Sequence, residues 1–125
     1  MVQRVARFFP TLATWLFFPA LAVIVWGELT PGVGLNIWDK LQHFLAYFGL
    51  AGLSTVALGT GRRAIWAALA LVALGGALEI LQGFTGRDPD IHDEIANTVG
   101  VAFGWLAGLG TNAVLRLLVA GRAPD

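Results

Sequence analysis

The sequence contains no cysteine among its 125 residues, and only 13% of those residues are charged. The absence of cysteine excludes disulfide bonds, thiolate metal sites and cysteine nucleophiles. The scarcity of charge argues against a water-soluble domain, since such domains carry about 25% charged residues. The net charge is zero and no basic tract is longer than Arg62-Arg63, so the chain lacks the basic patch that indicates nucleic-acid binding.

Apolar length is what the sequence has in abundance. Hydrophobic residues make up 57% of the chain and the mean hydropathy is +0.72. The charges fall in short clusters between apolar runs of about 20 residues or more, long enough to cross about 30 Å of hydrocarbon as helices. A soluble helical bundle would have to bury residues 64–78 on every face, which so small a chain cannot do. The sequence therefore predicts a single all-α domain over residues 1–125, a four-helix transmembrane bundle with helices at about 9–29, 39–58, 64–84 and 93–119.

The distribution of charge predicts the orientation of these helices. Cytoplasmic segments of membrane proteins carry an excess of basic residues, and six basic residues fall on the side of the N-terminus against two on the other side. The six are Arg4, Arg7, Arg62, Arg63, Arg116 and Arg122, and the two are Lys40 and Arg87. Both termini are thus predicted to be cytoplasmic. The acidic residues gather at the outer ends, with Asp125 as the exception: Glu28, Asp39, Glu79, Asp88, Asp90, Asp93 and Glu94.

Three of the predicted helices carry polar residues along one face near their outer ends. Residues three or four apart share a helical face, and an ionisable group facing lipid at that depth costs at least a few kcal/mol. We therefore expect these side chains to face the bundle interior and to form an outward-opening polar pocket. They are Asp39, His43 and Tyr47 on the second helix, Glu79 and Gln82 on the third, and Asp90, Asp93 and Asn97 on the fourth.

The pocket residues divide by the chemistry that they can supply. Glu79, His43 and Asp93 are the catalytic candidates, because carboxyl and imidazole groups can move protons. The candidates for ligand binding, among which Lys40 and Arg87 would hold a phosphate, are Asp39, Lys40, Tyr47, Gln82, Arg87, Asp90 and Asn97. Structural alternatives stay open: Asp39 and Asp93 as stabilisers of helix N-termini, His43 as a hydrogen-bonded packing residue, and Arg87 as the partner of Asp88 or Asp90.

The excess of acid at the outer ends predicts a positive species among the carboxylates, since like charges near a low-dielectric boundary repel each other. One hypothesis is a divalent cation, which would bind to some of Asp39, Glu79, Asp90 and Asp93 and bridge to a lipid phosphate. The other is a protonated Glu79 that hydrogen-bonds to His43 or Asn97 without any metal.

Two further patterns concern architecture. Residues 37–44 align with residues 91–98 at an offset of 54, which predicts a parallel duplication of two helical hairpins and brings Asp39 and His43 into correspondence with Asp93 and Asn97. The second pattern is a small-residue stripe that admits close helix approach, either within the chain or in a homodimer. It consists of Gly100, Gly104 and Gly108.

The ordered polar motifs resemble the VanZ-like family, whose namesake is the teicoplanin resistance accessory protein. The match covers about residues 39–104 and consists of Asp39-Lys40-x-x-His43-Phe44-x-x-Tyr47, Glu79-x-x-Gln82-x-Phe84, Arg87 with Asp90 and Asp93, and Asn97-Thr98-x-Gly100. Asp88 departs from the small residue that relatives often carry after the arginine. The resemblance implies a multi-pass protein of the bacterial cytoplasmic (inner) membrane, related to the cell envelope and to antibiotic resistance.

The residues and the resemblance support three functional hypotheses. The first is binding or modification of an envelope lipid or lipid-linked cell-wall precursor, entered from the outer leaflet. The second is a non-enzymatic accessory or structural role, in which the polar cluster joins helix ends and leaves no cavity. The third, proton or ion transport, ranks last because the cytoplasmic half has few polar residues. No activated serine or His-Glu-x-x-His motif assigns a reaction class.

Overall fold

A computed structural model describes residues 1–121, apart from the side chain of Val2. Arg122 and Asp125, used above in the charge distribution, lie outside the described residues. The described chain forms four α-helices and no strand: α1 (Val2–Leu29), α2 (Asp39–Leu58), α3 (Arg62–Thr85) and α4 (Ile91–Ala120). All four are long and apolar enough to cross a membrane, which confirms the prediction of an all-α bundle.

The helix ends agree with the predicted spans except at the N-terminus, where α1 begins seven residues earlier than predicted. Hydropathy marks where the hydrocarbon begins, whereas a helix continues into the interface for as long as its backbone permits. The start of α4 is set by Asp90, whose carboxylate accepts the backbone N–H of His92 at 2.9 Å. Gly86 ends α3 in the left-handed conformation, with φ +82°, which favours glycine.

The helices alternate in direction, so that the ends of the bundle differ in chemistry. One end holds the termini of α1 and α4, where Ala6 and Val119 line a common groove. The opposite end holds the polar residues, since Glu28 closes α1, Asp39 opens α2 and Gln82 lies near the end of α3. Between the ends, large apolar side chains are exposed around the bundle, among them Trp15, Phe18, Trp66 and Leu117. Such a surface is matched by lipid and not by water.

The closest helix contact in the bundle is between α2 and α4. Gly100, Gly104 and Gly108 are buried, and a Cβ on any of them would meet backbone or side-chain atoms of α2. The stripe is thus covered by α2 of the same chain. The alternative, an internal helix contact, is the one observed.

Substitution of Gly104 by Ala is expected to destabilise the protein by about 1–3 kcal/mol, as overpacking of a tight contact does. The new methyl group would meet the Phe48 backbone, which cannot move away without separating α2 from α4. Gly110→Ala is the matched control, since nothing lies within 4 Å of its Cβ position. Thermal unfolding in detergent measures both variants, and equal stability of the two would contradict the contact.

Candidate functional site

A cavity of about 510 Å³ lies between α1 and α2 at the polar end of the bundle. Its deeper wall is apolar, while its outer part is polar and is covered by the loop between the two helices. Since Val23, Trp26 and Leu45 at its margin are exposed, the cavity opens on the side of the bundle. The lining residues are Val23, Ile24, Trp26, Gly27, Glu28, Val33, Gly34, Leu35, Asp39, Gln42, His43, Leu45, Ala46 and Arg87.

Glu28 is the buried carboxyl group of the cavity, and sequence analysis did not place it among the site residues. Its Oε2 accepts the Tyr47 hydroxyl at 3.4 Å, and its backbone carbonyl accepts from the Gln82 amide at 3.1 Å. Its Oε1 lies 3.7 Å from His43 Nδ1 and has no hydrogen-bond partner among the described residues. A ligand with a hydroxyl or amine donor would satisfy this oxygen.

His43 connects the cavity to α4. Its Nδ1 lies 3.1 Å from Asn97 Oδ1, and Asn97 Nδ2 in turn donates to Glu94 Oε2 at 3.3 Å. Because that second bond orients the Asn97 amide, His43 Nδ1 is the donor. On the other side of the ring, Nε2 lies 3.4 Å from Asp93 Oδ2 and 3.9 Å from Asp39 Oδ1.

Lys40 forms ion pairs with the carboxylates that surround His43 and the start of α4. Its ammonium donates to Asp90 Oδ2 at 2.6 Å and to Asp93 Oδ1, and lies 3.6 Å from Asp39 Oδ2. The Lys40 hydrogen bond, together with those from the backbone and ring of His92, holds the pKa of Asp90 below its ordinary value. Lys40 was predicted to bind a ligand, yet here it supplies positive charge that the acidic cluster requires and joins α2 to α4.

Two of the partners predicted from the sequence are wrong. Glu79 does not hydrogen-bond to His43 or Asn97, since its Oε2 accepts the backbone N–H of Asp90 at 3.0 Å and its Oε1 has no hydrogen-bond partner among the described residues. Arg87 pairs with neither Asp88 nor Asp90 among the described contacts; its Nη1 donates to the carbonyls of Gly27 and Glu28 at 3.0 and 3.3 Å. Asp93 does lie in the first turn of α4, where the structural alternative placed it, while Asp90 is the N-cap residue.

The metal set predicted from the sequence changes accordingly. Asp90 and Glu79 do not belong to the group that converges, whereas Asp39, His43 and Asp93 each place one ligand atom within 4.8 Å of the others. Sequence reasoning counted carboxylates and could not judge which of them converge. The signal that it did contain was the spacing of four between Asp39 and His43, which puts both on one face of α2.

Of the residues predicted for the site, three line the cavity directly: Asp39, His43 and Arg87. Four others contact residues of the cavity wall without lining it themselves. Tyr47 and Gln82 contact Glu28, and Asp93 and Asn97 contact His43. Gln42 is a further residue that sequence reasoning missed. It lines the cavity, and its Oε1 accepts the Leu35 backbone N–H at 2.6 Å, which ties the covering loop to α2.

Comparison of the chain with protein-family models, with curated proteins and with solved structures finds no match. The resemblance to the VanZ-like family thus rests on the motif residues and stays a prediction.

Proposed function

We propose that this chain is a VanZ-like protein of the bacterial cytoplasmic membrane that binds an envelope lipid or a lipid-linked cell-wall intermediate in the cavity between α1 and α2. The main support for the proposal is that the cavity has an apolar part and a polar part. Apolar residues such as Ile24 and Ala46 form its deep wall, whereas Glu28, His43 and Arg87 lie at its outer end. A lipid likewise has an apolar chain and a polar headgroup, which would fit these two parts.

The polar end suits a phosphate-bearing headgroup with hydroxyl or amine donors. Arg87 uses Nη1 on the carbonyls of α1, which directs the guanidinium at the cavity and leaves its other N–H groups for a phosphate. Glu28, which lines the same cavity, has an acceptor oxygen, Oε1, without a partner among the described residues. The lateral opening suits entry from the bilayer, since an acyl chain need not leave hydrocarbon to reach the apolar wall.

We further propose that the polar end faces away from the cytoplasm and that the two hairpins are related by duplication. The excess of arginine at the end where α1 begins and α4 ends supports the first proposal. Two contacts at the offset of 54 support the second, since His43 bonds to Asn97 and Gln82 bonds to Glu28. Corresponding residues meet in this way when they lie near the axis that relates two repeats.

The orientation is tested with single cysteines in this cysteine-free chain. Cysteines at Val33 and Gly86 are expected to react with a membrane-impermeant thiol reagent in intact cells, and a cysteine at Gly61 only after the membrane is opened. Labelling of the Gly61 variant in intact cells, without labelling at Gly86, would reverse the orientation.

Lipid binding is tested by obstructing the cavity. Val23 lies at the exposed margin of the cavity, so the larger side chain of Val23→Trp narrows the lateral opening, and the fraction of purified protein that retains a lipid in native mass spectrometry is expected to fall at least several-fold. Val114→Trp is the matched control, because Val114 is an exposed valine of α4 outside the cavity. Equal lipid retention in the two variants would argue that the cavity is not the binding site.

One observation favours the accessory hypothesis for part of the cluster. The Lys40 ammonium is fully engaged with carboxylates of its own chain, as expected of residues that join helix ends. The accessory hypothesis does not account for the cavity that lies beside Lys40, since it expects a cluster without a cavity. Ion transport has less support, because Ser54 and Asn112, two buried polar side chains of the other half, bond to backbone carbonyls.

A further inference from the structure

We infer that Asp39, His43 and Asp93 bind a divalent first-row transition-metal ion, through Asp39 Oδ1, His43 Nε2 and Asp93 Oδ2. The inference deepens the proposed function, since the ion would lie at the polar end of the lipid cavity and contact a headgroup phosphate there. A histidine nitrogen with two carboxylate oxygens is a donor set that suits ions such as Zn²⁺ and Mn²⁺.

The orientation of the His43 ring is the first argument. Glu94 fixes the Asn97 amide, and Asn97 Oδ1 then accepts from His43 Nδ1 at 3.1 Å. With its proton on Nδ1, the ring presents the Nε2 lone pair to two carboxylates, an arrangement that a cation between them stabilises. Metal-bound histidines generally donate their other N–H to an acceptor in this manner.

The distances are the second argument. Donor atoms that share one ion at about 2.1 Å are at most about 4.2 Å apart. His43 Nε2 lies 3.4 Å from Asp93 Oδ2 and 3.9 Å from Asp39 Oδ1, and the ligand atoms of all three residues lie within 4.8 Å of one another. The widest pair therefore has to close by roughly 0.6 Å at most. Both His43 and Asp93 are more than nine-tenths buried, which holds two of the three ligands in place.

The position of Lys40 is the third argument. Its ammonium contacts Asp93 Oδ1 and lies 3.6 Å from Asp39 Oδ2, the outer oxygen of each carboxylate. The inner oxygens are the ones that face His43 Nε2. The carboxylates of Asp39, Asp90 and Asp93 and the ammonium of Lys40 together carry a net charge of −2, which one divalent ion neutralises.

The site is coupled to the cavity by shared residues. Asp39 and His43 line the cavity as well as contributing ligand atoms, so the remaining coordination positions of the ion face the space assigned to the headgroup. A phosphate oxygen there would complete the coordination shell, with Arg87 as a second contact.

A Co²⁺ titration tests the inference without any lipid. Purified protein in detergent, first treated with chelator, is expected to bind one Co²⁺ per chain with visible ligand-field absorption, and Zn²⁺ is expected to displace it. His43→Gln should weaken binding at least about tenfold. Because Asp39 is half exposed, Asp39→Asn offers a second ligand variant that leaves folding intact, and it should also weaken binding.

His92→Gln is the matched control, since the other histidine of the chain lies exposed beside Asp90. Its Co²⁺ affinity is expected to equal that of the unmodified protein. The inference is overturned if no saturable Co²⁺ spectrum appears, if His43→Gln and Asp39→Asn bind as tightly as the unmodified protein, or if His92→Gln alone loses the ion. Such failure leaves the lipid proposal standing, because lipid retention in Val23→Trp is measured separately.

Discussion

Lys40→Met is expected to destabilise the folded protein by about 3 kcal/mol, because it leaves the Asp93 carboxylate buried without its partner. Asp93 is only 4% exposed, so the ammonium of Lys40 is the main source of compensating charge for its carboxylate. Circular dichroism during thermal or denaturant unfolding in detergent measures the loss. The expected value is near the low end for a broken buried pair because Lys40 is partly exposed.

A double variant separates the ion pair from the loss of the lysine stem. Lys40→Met combined with Asp93→Asn removes both charges, and it is expected to recover most of the stability that Lys40→Met loses. Arg116→Met is the matched control at the other end of the bundle, where the guanidinium contacts the exposed Thr60 hydroxyl; little change is expected. If the double variant were no more stable than Lys40→Met, the pair would not couple α2 to α4.

Glu28→Gln is expected to reduce lipid retention about tenfold or more while leaving stability unchanged or higher. Glu28 Oε1 has no protein partner among the described residues, so the fold does not depend on its charge, and an amide oxygen still accepts from Tyr47. The amide NH2 would then stand in the place of Oε1, so a ligand donor would be left without its acceptor, which costs about 1–3 kcal/mol. Native mass spectrometry of the lipid-bound fraction, beside the unfolding midpoint, measures the two effects.

The matched control for Glu28→Gln is Asp88→Asn, a carboxylate at the same end of the bundle but exposed and outside the cavity. It is expected to retain lipid like the unmodified protein. If both variants retained lipid as well as the unmodified protein does, the buried carboxylate would not contact the headgroup. If both lost lipid to the same extent, the loss would be a general effect of charge.

The structure changed the interpretation of individual residues more than the interpretation of the whole. Helical spacing correctly placed Asp39, His43 and Tyr47 on one face of α2, because that relation is local. It did not identify Glu28, since α1 carries no polar stripe and a lone glutamate near a predicted helix end is also explained by the interface. Glu28 became a site residue through contacts with Tyr47 and Gln82, which are remote in sequence.

The sequence by itself determined that the chain forms four helices suited to a membrane, and that its acidic and basic residues separate toward opposite ends. These properties follow from apolar length and local periodicity. Only the tertiary structure decided which polar groups pair. Three contacts depend on the relative rotation and depth of packed helices: Lys40 with Asp93, Glu79 with the Asp90 backbone, and the glycine stripe with α2. The sequence of one helix does not specify the rotation or depth of its neighbour.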